Sequence, residues 1–161
     1  MPAKNPNPVR TWNPAKGDAL QGDVCLFRIP DTIKVDTSDE IAPKDHRLIL
    51  AEGEITGHHH AIWLRNRPVM FRDDGLAREA EVASSVPTAI ARLYRDPKAI
   101  NALVSAGELT TAALAIGILV VEGDFMTLTH DEHDAIRIPP GRYYVGAQQE
   151  WDAAQVRRVA D

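Results

Sequence analysis

Five of the six histidines fall in two short segments, TGHHHAIW and THDEHDAI, so His58, His59 and His60 form one cluster and His130, Glu132 and His133 a second. In an extended chain successive side chains alternate faces, which sends His58 and His60 to one side and His59 to the other. A His-x-His pair on one strand face supplies two neutral imidazoles to a single ion, and imidazole suits zinc, iron, nickel and copper. The same alternation sets His130 beside Glu132, with His133 where the chain turns. Two imidazoles with a carboxylate form a ligand set that leaves coordination positions open for water or substrate. These spacings predict a divalent-metal site of zinc, iron or nickel with His58, His60, His130 and His133 as ligands and Glu132 as ligand or general base. A metal-dependent hydrolase or another small-molecule enzyme would follow. Two other readings stand beside it: a metal-free acid–base pair of histidines, and histidines that serve only as local hydrogen-bonding groups near turns.

The elements that must position these residues are mostly strands. DVCLFRI, RLILAEGEIT and HHAIWL are short apolar-rich runs, and ILVVEGDFMTLTH reads as two strands joined at Glu122-Gly123-Asp124. Ala135–Ile138 and Arg142–Gln149 continue this second block across Pro139-Pro140-Gly141, with Tyr143 and Val145 alternating against Tyr144 as on a strand with one buried face. Gly53 and Gly57 bracket Glu54 ahead of the first histidine cluster, where glycine marks a bend or a bulge. Between the blocks, Ser85 before Pro87, Asp96 before Pro97 and Gly107 as a stop point to two or three short helices. Ile90, Leu93 and Tyr94, then Ile100, Leu103 and Val104, recur at helical spacing, so residues 86–106 are expected to be helical and to cap the sheet with Ile90, Leu93 and Leu103 buried. Arg157 and Arg158 read as a solvated helical face.

Residues 1–17 hold Pro2, Pro6, Pro8 and Pro14 among Asn and Lys, a composition that favours extended, unpaired chain. They read as a tail, or as an arm that orders against a neighbouring subunit with Val9 and Trp12 as anchors. The domain organisation expected is therefore an arm over 1–17 and one β domain over 18–161 with a helical insert at 84–117.

A net charge of -5 across 161 residues lacks the clustered Lys and Arg on which phosphate neutralisation depends, so nucleic acid is not an expected partner. Cys25 is the only cysteine, which rules out an internal disulfide and suits a reducing, cytoplasmic compartment. The N-terminus shows no apolar signal region, and the longest apolar run, Ala112 to Val121, is too short to cross a bilayer of about 30 Å as a helix. No membrane partner is expected.

The stretches GEITGHHH and LTHDEHDAIRIPPGRYYVGAQQEW resemble a group of small, functionally uncharacterised bacterial and phage proteins. In that group a GE-(V/I)-TGH-x-H segment precedes an H-x-EH segment, a proline-glycine turn and a Q-x-E-aromatic ending. The resemblance covers about half the chain; it pairs the two histidine clusters and implies no activity, and residues 84–117 look like an insertion relative to the group. A second resemblance is to cupins, which hold a metal in a small β-barrel with a His-x-His pair, a following glutamate and a distant histidine. His58 and His60 match the pair and His130 or His133 the distant ligand, while AIWLRN after His60 lacks the glutamate.

The fold expected is mainly β, a β-sandwich or small cupin-like barrel in which 20–55 and 60–72 pair with 118–151. Its function is expected to be divalent-metal binding. The alternative is a phage structural or assembly protein, located in the virion, whose arm makes a homo-oligomer or larger assembly.

Overall fold

The computed structural model describes residues 9–52, 59–64, 90–130, 133–147, 149–151 and 156–158, with the side chains of Glu52 and of the last two segments left aside. The chain is mainly β, built as two sheets with a core between them. Its strands are β1 (Val9–Thr11), β2 (Ala19–Gln21), β3 (Val24–Arg28), β4 (Glu40–Ile41), β5 (Arg47–Glu52), β6 (His59–Trp63), β7 (Ile90–Tyr94), β8 (Ala115–Glu122), β9 (Met126–Thr129), β10 (Ala135–Ile138) and β11 (Gly141–Ala147). A β12 (Gln149–Trp151) and β13 (Val156–Arg158) hairpin and one helix, α1 (Pro97–Ser105), complete the described elements.

The first sheet runs β1-β10-β9-β6-β5 and the second β2-β3-β11-β8-β7-β4. Leu48, Leu50, Ile62, Met126, Leu128, Ile136 and Ile138 of the first sheet meet Val24, Leu26, Leu93, Leu119, Val121, Tyr143 and Val145 of the second. This contiguous apolar layer makes the molecule a β-sandwich, in which alternation along each strand decides what enters the core. The second sheet is covered on its other face too: Tyr144 and Ile118 pack there with Ile29, Ile33, Ala99, Ile100 and Leu103. Both faces of β11 are therefore buried, not one, and AIGILVVE in β8 is a near-continuous apolar run because a doubly covered strand has no solvent side.

The helical expectation for residues 86–106 holds only in part. α1 begins where the caps place it: the Asp96 side chain accepts from the Ala99 N–H at 2.9 Å, Pro97 occupies the first turn, and Gly107 follows at φ 78°. Residues 90–94, however, form a strand that pairs antiparallel with β8 and β4. Leu93 is buried but Ile90 is 49% exposed, the reverse of what a helical face through both would give. Ala91 and Leu93 point into the core while Tyr94 is also covered, so the apolar spacing that resembled a helix is that of a strand buried on both faces near its end. β8 correspondingly starts at Ala115, inside the 84–117 span expected to be a helical insert. Arg157 and Arg158 lie on β13, paired with β12, and not on a helix. Ser85 and Pro87 fall outside the described residues.

The two turns read from sequence are present, with Gly123 at φ 84° between β8 and β9 and Gly141 opening β11 after β10. The described part of the N-terminal segment lies on its own domain. β1 adds as a parallel strand beside β10, and Trp12 donates to the Gly17 carbonyl at 2.9 Å and packs on Tyr143 with ring centroids 5.2 Å apart. Trp12 is thus anchored within the same chain, where the sequence offered either a tail or an anchor on a neighbouring subunit. No helix among the described residues is long and apolar enough to cross a membrane.

Candidate histidine site between the sheets

Antiparallel pairing of β6 with β9 brings the two histidine clusters together. Ile62 pairs with Leu128 and Ala61 with Thr129, a rung that the Thr129 hydroxyl reinforces by donating to the Ala61 carbonyl at 3.0 Å. One step further along this register, His60 stands opposite His130. Alternation puts His60 on the same side as core residue Ile62, and His130 on the same side as Leu128, so both rings point between the sheets. His60 is fully buried, His130 nearly so, and their ring centroids lie 4.2 Å apart with planes 29° from parallel. The ring of His133, partly exposed, lies 4.6 Å from that of His130, tilted by 34°, and 6.2 Å from that of His60, nearly parallel to it. The His133 backbone N–H donates to His130 Nδ1 at 3.3 Å, so Nδ1 is the acceptor nitrogen and a neutral His130 ring carries its proton on Nε2.

The second sheet contributes the rest. β2 and β3 join through the two-residue loop Gly22-Asp23, with Gly22 at φ 55°, a left-handed value that such hairpin loops assign to glycine. Gln21, on the same side of β2 as buried Ala19, and Asp23, the loop residue just before β3, project from this hairpin toward His60. His60 Nδ1 lies 2.8 Å from Gln21 Oε1, and His60 Nε2 lies 3.0 Å from Asp23 Oδ1. Gln21 Nε2 donates to the carbonyls of Leu128 at 3.2 Å and Asp134 at 2.8 Å, which ties the hairpin to the segment carrying His130 and His133.

The structure therefore gathers His60, His130 and His133 at one end of the sandwich core and adds Gln21 and Asp23, two residues that the sequence reading did not single out. His58 and Glu132 lie outside the described residues, as do Gly53, Glu54 and Gly57. His59 takes the other side of β6 and is only partly buried. A register shift between Ile49 and Ala51 places a bulge in β5 directly across from His60, a few residues before the glycines expected to provide one. Among the described residues no group of three or more His, Cys, Asp and Glu side chains is arranged to hold a metal ion.

Elsewhere, burial and the neighbouring Asp18 carboxylate push the Cys25 thiol up to about 11, which keeps it protonated and a poor nucleophile.

No curated protein and no solved structure matches the chain. Residues 20–97, which run from β2 to the first residue of α1 and include Gln21, Asp23 and His60 but neither His130 nor His133, match the family described as a domain of unknown function (DUF8820).

Proposed function

We propose that this chain is a divalent-metal-binding β domain whose ion sits on the edge between His60 and Asp23. The supporting observation is the edge between His60 Nε2 and Asp23 Oδ1, 3.0 Å long and buried. Gln21 Oε1 accepts at Nδ1, so the Nδ1 proton is engaged and Nε2 faces the carboxylate. Two electron-pair donors at that separation need a cation between them. A proton fills the role in an imidazolium–carboxylate pair; an ion with bonds of about 2.0–2.2 Å to both atoms spans the same edge at an angle near 90°. His130 Nδ1 accepts from the His133 N–H, so in a neutral ring its proton sits on Nε2 and His130 lines the site without ligating the ion, while His133 lies on the partly exposed side, from which water or substrate would enter. In this reading His58 and Glu132 complete the donor set, with Glu132 as ligand or general base. Zinc, iron and nickel all suit imidazole and carboxylate together. A bound ion would bring the pKa of its water to about 7 and provide a hydroxide for hydrolysis.

Elemental analysis of the untagged protein, repeated for His60→Ala, Asp23→Ala and His59→Ala, tests this. About one equivalent of metal is expected in the wild type and in His59→Ala, with loss in the other two. Metal that follows His59 instead would be adventitious binding by the triple histidine and would overturn the proposal.

The second reading, an assembly protein, draws on β1. It is the outer strand of its sheet among the described residues, its three side chains are exposed, and Val9 is 53% exposed. Such an edge can accept a strand from another chain. Light scattering on the full chain and on a chain lacking residues 1–14 would separate the readings, since a smaller assembly after truncation supports this one.

A further inference from the structure

We propose that Gln21 is the positioning residue of this site: it holds the proton of His60 on Nδ1 and thereby commits Nε2 to the cation. The inference rests on the metal-binding reading for its consequence, but its geometry is independent of any ion.

A side-chain amide has one acceptor oxygen and a nitrogen with two N–H donors, and which end points where must be deduced from the partners. For Gln21 the partners leave one orientation. Two backbone carbonyls, Leu128 O and Asp134 O, lie within 2.8 to 3.2 Å of Nε2, and a carbonyl can only accept. Both donors are thereby used. The remaining end, Oε1, can only accept, and it faces His60 Nδ1 at 2.8 Å. His60 Nδ1 must therefore carry a hydrogen.

Backbone carbonyls of the histidine-bearing segment thus set the orientation of Gln21 and, through it, that of the His60 ring. Leu128 and Asp134 flank His130 and His133, so the carbonyls that orient Gln21 belong to the stretch that supplies the other imidazoles. Gln21 is 1% exposed, so no water competes for its amide at bulk concentration. Ligating histidines generally donate their second ring N–H to a fixed acceptor, and loss of that acceptor weakens metal affinity by roughly 10–100-fold.

Two variants separate positioning from simple structural support. Gln21→Met removes the amide with little change in volume; Gln21→Glu keeps an oxygen that can accept the Nδ1 hydrogen while losing both donations to Leu128 and Asp134. Both should lose thermal stability by a similar shift. Only Gln21→Met should lose affinity for zinc, by roughly 10–100-fold in competition with a chelator, whereas Gln21→Glu should retain it. Proton–nitrogen correlation spectra of histidine-labelled protein give a readout that does not depend on an ion: wild type should show a slowly exchanging Nδ1 proton assigned to His60, absent in Gln21→Met. Equal zinc affinity in folded Gln21→Met and wild type would overturn the proposal, as would a His60 Nδ1 proton unchanged in Gln21→Met. If wild type takes up no zinc, the metal reading fails, and the Nδ1 proton alone decides whether Gln21 positions His60.

Discussion

Ile62 and Leu128 face each other across β6 and β9, and one alternation further along the same ladder His60 and His130 do so too. The two rungs share strands, direction and burial, yet they ask different things of their surroundings. The apolar rung needs only complementary volume, and residues from the opposite sheet such as Leu26 and Tyr143 provide it. The imidazole rung needs a chemically matched group at each ring nitrogen, because a buried polar atom without one costs about 1–3 kcal/mol. Here the opposite sheet answers with Gln21 and Asp23 in place of leucines. A sandwich can thus carry a polar site without changing its architecture, provided both sheets change composition at the same end.

The largest effect should come from removing the charge that balances the polar rung. Asp23→Ala leaves His60 without its buried carboxylate and should cost about 3–5 kcal/mol in urea unfolding. In His60→Leu the same substitution should cost less, with a coupling of about 0.5–3 kcal/mol between the two positions. Additive losses would mean that the pair does not act as one unit. On the apolar rung, Leu128→Ala should cost about 2–5 kcal/mol through the cavity it opens, while leaving metal stoichiometry unchanged. A loss of metal there would blur the distinction between the rungs.

β7 supplies a further contrast within one strand. Leu93→Ala should destabilise by about 2–5 kcal/mol and Ile90→Ala by less than about 0.5 kcal/mol, as a period of two requires. Comparable losses at both positions would restore the helical pattern. The smallest consequence concerns Cys25. With its thiol raised to about 11, alkylation of the native protein at pH 8 should run a few hundredfold slower than for a free cysteine of pKa about 8.5, and unfolding should abolish the difference.

Much of this arrangement could be read from the sequence. The strand blocks, the Glu122-Gly123-Asp124 and Pro139-Pro140-Gly141 turns and the Asp96-Pro97 helix start are local signals, and local geometry honours them. The meeting of His60 with His130 was legible as clustering but not as geometry, since it depends on the antiparallel register of β6 and β9. β7 was misread because Ile90, Leu93 and Tyr94 are spaced three and four apart, and only packing against β8 shows that Ile90 faces out. Gln21 and Asp23 left no sequence signal of their own. Polar residues flanking Gly22 look like an ordinary solvent-facing turn, and what buries them is the opposite sheet, more than a hundred residues away in the case of Leu128 and Asp134. A weak clue was available: Gln21 shares a strand face with Ala19, which is buried.

Anomalous diffraction from crystals of the untagged protein soaked in zinc shows whether a cation occupies the His60–Asp23 edge. A single strong peak within about 2.0–2.2 Å of both His60 Nε2 and Asp23 Oδ1 is the result predicted. Zinc found only at His59 or His46, with His60 and Asp23 still in direct contact at their present distance, would contradict it.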